Sequence, residues 1–447
     1  MEGGAPKGGI LKRAARNAGL LLGGKASAGA MQLGTFALAA RGLGVHDFGV
    51  FSVVTAQVLL LTGLAAFDSN QAIIRYGVGH LNSGDRAAMQ SLFKAGTLLD
   101  IGAATVAAIA VVFVAPLLAQ RLQWGPDLVL LAQCAAPLAF ANAVATPKGM
   151  LRLFGRFDLL SVQSIVTPAI RLALFAALTL AGATLAWYLA AWLVAGWTGA
   201  VVAYVVAWRE AARHGLLAGM NASLRGLTRA NPGMWRFAIL SNLNSSVALI
   251  PTQLAVLIVA WLLGPAAAGI FRIARETATG LMKPVELMNQ ALYPDLARLV
   301  AARDWRRATR AAVRAGAAAS AVGALVAILI WLAGPTILRT VFGPGFVPAA
   351  PILVAIGIGT SIRVSAFAAD PLMFALGRPG TPLMLGALST ALFVAVLVWR
   401  LPIDGLAGAG YAFVAMGAAG AALSATAAAR RIGIEREADT IARHKME

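Results

Sequence analysis

Residues 43–51 read LGVHDFGVF, and residues 263–271 read LGPAAAGIF. Four residues recur at an offset of 220: Leu43, Gly44, Gly49 and Phe51 return as Leu263, Gly264, Gly269 and Phe271. Ala40 and Ala260 precede them at the same offset. Downstream, Asn-Gln-Ala occurs at 70–72 and again at 289–291. Pro147 is followed by Gly155-Arg156, and Pro371 by Gly377-Arg378. Each match alone is weak among Gly- and Ala-rich segments. Their common order points to a chain built twice on one plan.

The composition says what kind of plan. Hydrophobic residues make up 59% of the 447 and charged residues 12%, against roughly 25% charged in soluble domains. The apolar residues fall in blocks of about 20, the length that crosses a bilayer as a helix. The lone Cys134 rules out a disulfide framework and a multi-cysteine metal site. The four histidines show no HxxxH or HExxH spacing, so zinc and haem ligation are not indicated.

Twelve spans are read: about 17–40, 48–67, 90–119, 127–146, 158–182, 185–208, 237–262, 267–293, 311–334, 347–374, 380–399 and 405–428. Segment 17–40 follows LKRAAR and contains ASAGA, as a secretory signal does. The repeat needs it as the first helix of the first copy, so it is kept. The expected fold is an all-α polytopic membrane protein of twelve transmembrane helices in two six-helix lobes. The lobes are 1–210 and 233–447, joined by a cytoplasmic linker at 211–232. Six is even, so both lobes start on the same side, a parallel repeat about an axis along the membrane normal.

The net charge of +19 then reads as an orientation signal. With both termini cytoplasmic, 27 of the 37 basic residues fall inside, only Arg41, Arg121, Arg339 and Arg400 outside, and six within spans. That asymmetry is the positive-inside rule, and nucleic acid is not an expected partner. The external connections are short, and no loop is large enough to hide an enzyme domain.

Ionisable groups inside a membrane are costly and face cavities or each other. The basic ones are Lys25, Arg171, Arg272, Arg275, Lys283 and Arg363; the acidic ones include Asp68, Asp100, Glu276, Glu286 and Asp370. On the eighth span Arg272, Glu276, Thr279, Lys283, Glu286 and Gln290 are spaced 4, 3, 4, 3 and 4, which puts them on one helical face. Such a stripe faces a wet cavity or the other lobe, or is a run of ion pairs such as Arg272 with Glu276, and Pro284 is placed to kink the helix. Ser164, Thr167 and Arg171 share a face of the fifth span. Lys25 and Gln32 lie seven apart on the first, as do Arg363 and Asp370 on the tenth, and the seventh carries the polar run SNLNSS at 241–246. A cationic excess suits an anionic substrate group such as phosphate. The acids are candidates to hold a coupling H⁺ or Na⁺.

Residues 20–81 carry a recognisable pattern: Ala40-Arg41 with Leu43-Gly44, then Phe48-Gly49 with Phe51, then Ile74-Arg75. This resembles the start of the bacterial polysaccharide-transport flippases, in the multidrug/oligosaccharidyl-lipid/polysaccharide exporter superfamily. The resemblance implies a V-shaped, two-lobed transporter with a central cationic cavity and alternating access. It implies a substrate, an oligosaccharide on undecaprenyl pyrophosphate, delivered to the outer leaflet of the inner membrane. Substrate-binding candidates are Lys25, Arg272, Arg275 and Lys283, then Arg171 and Arg363; coupling-ion candidates are Glu276, Glu286 and Asp370. No cofactor beyond H⁺ or Na⁺ is implied. The implied partners are membrane lipids, a polysaccharide polymerase and chain-length proteins. Lipid II flippases of the superfamily usually carry two more C-terminal helices, so twelve spans favour the O-antigen or exopolysaccharide branch. A cation-coupled small-molecule exporter on the same fold is the alternative. A membrane polymerase or glycosyltransferase is disfavoured, lacking the large external loop or soluble acidic site such enzymes use.

Overall fold

The computed structural model describes the backbone of residues 7–218, 224–366, 368–376, 378 and 380–444. Within these it describes all side chains except those of residues 7–18, 20–22, 25, 244, 282–298, 301, 371, 374–375 and 438–444. Every described element is a helix. In hydrocarbon only a helix satisfies its own backbone, apart from a closed barrel.

Ten segments are long and apolar enough to cross a membrane among the described residues. The first, Ala26–Ser83, has 58 residues, about 87 Å at 1.5 Å per residue, far beyond a bilayer core of about 30 Å. The chain resolves this at Gly44. Helix α1 (Lys7–Ala65) is two helices joined there, with Gly44 at φ 71° and ψ −178°. The second copy repeats the device. Helix α11 (Ala255–Leu263) gives way to α12 (Pro265–Ala301) at Gly264, φ 89° and ψ 170°. Both glycines occupy a region of backbone space open essentially to glycine alone. Twelve spans were expected; the ten segments, the first of which holds two helices, are of that order.

By its internal contacts the chain forms two compact units, Met1–Leu249 and Ile250–Glu447. The division falls inside the seventh span, whereas composition had placed the linker at 211–232. The reason is α10 (Met234–Leu249), whose polar run packs with the first unit. Ser241 Oγ donates to Asp68 at 2.5 Å, and Asn242 donates to the Leu64 carbonyl at 3.2 Å. Past Leu249 the span continues as a π-helical turn, Ile250–Leu254, around Pro251, which has no N–H to give the ladder.

In the first unit α2 (Ser69–Ser83), α3 (Arg86–Leu122), α4 (Pro126–Cys134), α5 (Leu138–Asn142) and α6 (Ala145–Leu153) precede two long helices, α7 (Phe157–Leu180) and α8 (Leu185–Arg213). The fourth span, expected as one helix over 127–146, is thus three short ones. Pro137 and the turn at 143–144 interrupt its ladder. Repeat residue Phe51 is fully buried among Phe48, Phe175 and Trp192. At the other end, Glu210 (side chain 6% exposed) joins Arg156 at 2.7 Å and Arg213 at 3.1 Å. Arg156 also pairs with Asp158 at 2.9 Å. These hydrogen bonds, to Asp158 first and to Glu210 next, hold the Arg156 guanidinium protonated more firmly than usual.

In the second unit α13 (Trp305–Ile337) precedes α14 (Ala350–Ser365), α15 (Ala369–Ala375), α16 (Gly380–Asp404) and α17 (Leu406–His444), after the short α9 (Leu227–Ala230) of the first. Phe271, the second copy of Phe51, is also fully buried and meets Phe413 of the last span. Helices α14 and α17 cross closely: a Cβ on Gly417 would stand 2.0 Å from the Gly359 carbonyl oxygen. Small residues permit this approach in membrane bundles. His46 and Asp47, which have no counterpart in the second copy, pair with each other at 3.0 Å on the exposed surface.

Candidate functional site

The first unit has an open-mouthed cavity of about 380 Å³ between α5, α6, α7 and α8. Ser164, Thr167 and Arg171, the face expected on the fifth span, all line it. Arg171 is 9% exposed. Its guanidinium carbon lies 3.3 Å from the centre of the Trp192 ring, and Nη1 donates to Gln32 Oε1 at 3.3 Å. The Trp192 ring in turn stacks on Phe36 and meets Phe51 and Phe175. The aromatic core thus sets the position of the cation, which is attracted to the ring face.

Two further cations line the same cavity, Lys148 and Arg152. In sequence they looked like loop charges that only orient the chain. The structure places both on α6, four residues apart on one face. Helix α6 is anchored by Asp100, a buried carboxylate that accepts from Ser69 Oγ and from the Thr146 backbone N–H, each at 2.7 Å. Thr146 lies in the first turn of α6, where a negative charge is favoured. Asp100→Ala leaves both donors unpaired. It should lower stability by about 2–3 kcal/mol, read as a lower melting temperature of the purified protein in detergent. An unchanged melting temperature would remove Asp100 from this role.

The second unit has its own cavity of about 290 Å³ between α14, α16 and α17, lined by Arg363, Thr360, Ser389 and Thr390 among others. Arg363 pairs with Asp370 at 2.8 Å, and Asp370 also accepts from Ser424 Oγ at 3.2 Å. The two residues were expected on one helix. They stand instead on α14 and α15, and the ion pair spans the break between them. Each unit thus carries an arginine-lined cavity, the first among the fourth to sixth spans and the second among the tenth to twelfth.

Arg272 and Arg275 are buried within the second unit, at 2% and 5% exposure. Arg275 donates to the Thr252 carbonyl, in the π-helical turn, and pairs with Glu276. Neither arginine lines the two cavities above. Along the expected stripe the exposure changes from buried Arg272 through half-buried Glu276 to exposed Thr279. The side chains of Lys25, Lys283, Pro284, Glu286 and Gln290 lie outside the described residues. No group of three or more His, Cys, Asp or Glu residues that could hold a metal ion occurs among the described residues.

Helices throughout the described residues and ten segments long and apolar enough to span define a multi-pass membrane protein. Solved structures with this fold agree. An inward-facing multidrug resistance MATE family transporter of the MOP superfamily aligns with TM-score 0.71 at 14% identity, over 91% of this chain and 95% of that one. The lipid II flippase MurJ, inward closed, aligns with TM-score 0.66 at 12% identity, over 90% and 87%. The chain belongs to the polysaccharide biosynthesis protein family, which matches residues 14–300. A curated relative, inner membrane protein YghQ of Escherichia coli (strain K12), is 28% identical over 321 residues, covering 71% of this chain and 89% of the relative.

Proposed function

We propose that this protein is a flippase of the inner membrane. It carries undecaprenyl-pyrophosphate-linked oligosaccharide from the cytoplasmic to the outer leaflet by alternating access, for O-antigen or exopolysaccharide synthesis. The observation that carries the reading is the cavity of the first unit, which presents three cations and no carboxylate. A pyrophosphate and its sugars cannot cross hydrocarbon unaided, whereas the lipid tail can remain in it. A cationic, polar-walled cavity inside the bilayer replaces the water that the head group loses. Arg171 and Arg363, with Arg272, Arg275, Lys25 and Lys283, are the cations assigned to the substrate. Asp370, Glu276 and Glu286 are assigned to a coupling H⁺ or Na⁺, Asp370 because protonation would release Arg363 from its ion pair. Both termini are placed in the cytoplasm, and a polymerase with its chain-length protein would receive the product.

The test is a deletion strain. Lipid-linked oligosaccharide should accumulate on the cytoplasmic leaflet, and surface polysaccharide should fall, both reversed by the gene on a plasmid. Normal surface polysaccharide would overturn the reading. The MATE-like fold supports a second one, a cation-coupled exporter of small molecules. Drug hypersensitivity with intact polysaccharide would select it.

A further inference from the structure

We propose that the first unit is by itself a binding site for a glycosyl phosphate, with Lys148 and Arg152 holding the phosphate and Gln163 holding the sugar attached to it. The proposal rests on the flippase reading for the origin of the ligand, and on the cavity for its chemistry.

Lys148 and Arg152 occupy one face of α6 at a spacing that brings like charges together. No acidic side chain lines their cavity. The side chain of neither residue takes part in an ion pair or hydrogen bond among the described residues. The buried carboxylate that touches α6, Asp100, is engaged by Ser69 and the Thr146 N–H. Two adjacent cations inside a membrane protein require an anion. An arginine fork beside a lysine point charge is a phosphate-binding pair. Arg171 lines the same cavity but is held by Trp192 and Gln32, which sets it as the far wall.

Gln163 is the second, independent observation. It is 6% exposed and lines the cavity, and its Oε1 accepts no hydrogen bond among the described residues. A buried acceptor left unpaired is costly. An ionised phosphate has only acceptors and cannot satisfy it. A hydroxyl or N-acetyl N–H of a sugar joined to that phosphate can. Asn142, Ser164 and Thr167 add donors and acceptors on the same walls. The volume of about 380 Å³ lies at the lower end of small-molecule pockets. It has room for the phosphate-proximal sugar and not for a long oligosaccharide. The unit therefore reads the phosphate-proximal end of the substrate, and the rest of the glycan stays outside it.

The experiment is titration of the purified full-length protein in detergent with four probes: inorganic phosphate, glucose 1-phosphate, N-acetylglucosamine 1-phosphate and undecaprenyl phosphate. At least one sugar phosphate should bind about tenfold or more tighter than inorganic phosphate, the scale of one good polar contact in a buried site. Lys148→Gln and Arg152→Gln should each weaken both phosphate and sugar phosphate about tenfold. Lys148→Arg should bind as the parent does, which separates lost charge from misfolding. Gln163→Leu should weaken the sugar phosphate about tenfold and leave inorganic phosphate unchanged. Undecaprenyl phosphate should compete with the sugar phosphate if the lipid-borne phosphate is the natural source; if undecaprenyl phosphate fails to compete while inorganic phosphate does, the source is a free phosphate. Equal binding of phosphate and sugar phosphate, or a Gln163→Leu variant that behaves as the parent, overturns the sugar assignment. Undiminished binding in Lys148→Gln and Arg152→Gln overturns the phosphate assignment. Sugar-phosphate binding together with normal polysaccharide in the deletion strain would keep this site and remove the flippase reading. The reverse pattern would keep the flippase and remove the site.

Discussion

Arg171→Leu should reduce surface polysaccharide by about a hundredfold while the protein remains in the membrane at its usual level. The guanidinium is pre-positioned, stacked 3.3 Å from the Trp192 ring centre and hydrogen-bonded to Gln32. A ligand anion therefore meets a cation that has little rotamer freedom left to lose. Losing one charge-assisted contact in a buried site costs about 2–3 kcal/mol, and each 1.4 kcal/mol is about tenfold. Arg171→Lys keeps the charge but loses the planar fork and the stacking, so it should fall between the parent and Arg171→Leu. The measurements are polysaccharide per cell and an immunoblot of the membrane fraction. Parental polysaccharide in Arg171→Leu would end the assignment. A graded loss from Lys to Leu at constant protein level would separate a ligand contact from a packing role.

The second large effect is on folding. Gly44→Val and Gly264→Val should each destabilise the protein by about 3 kcal/mol or more, since residues forced into this backbone region cost of order 1–3 kcal/mol and a β-branched side chain adds to that. The φ values, 71° and 89°, with ψ near 180° leave an L side chain no comfortable alternative. The space around both glycines is open, so any loss arises from the backbone and not from a clash. Gly125→Ala is the control. It sits in a connection too, also in open space, but at φ −68°, and should change stability by less than about 1 kcal/mol, since alanine adopts that φ without strain and restricts the unfolded chain. Melting temperature and membrane yield report all three. A Gly264→Val protein as stable as the Gly125→Ala control would refute the argument.

Particular residues show how much of this was legible beforehand. The Leu-Gly turn was, because its requirement is local. A chain that must reverse between two spans needs a residue free to take positive φ, and glycine announces itself at any position. The polar face of the fifth span was legible for the same reason, since Ser164, Thr167 and Arg171 are brought together by helical period alone. Lys148 and Arg152 were not. By composition they belong with two dozen other cytoplasmic basic residues, and nothing local says that Pro137 will break the fourth span and turn its last helix into a cavity. Gln163 carries no sequence signal at all: an unpaired acceptor is a property of its surroundings. The eighth span shows a further limit of sequence. Arg272 lies on the most conspicuous polar stripe of the chain and Arg275 beside it; helical period does not tell that both are buried, with Arg275 on the Thr252 carbonyl that the π-helical turn exposes.

The sequence by itself determined that the chain is helical, crosses a membrane many times and sets a glycine turn at two places 220 residues apart. Those properties depend on apolar length, helical period and backbone freedom at glycine, all of them written over a few consecutive residues. Only the tertiary structure decided which cations share a cavity, that Asp370 stands against Arg363, that Asp100 anchors the helix of Lys148 and Arg152, and that the polar start of the seventh span packs with the first unit. Charge pairing and desolvation are set by neighbours far apart along the chain. Span counting cannot supply those neighbours, because every helix of a bundle offers several faces and packing selects one.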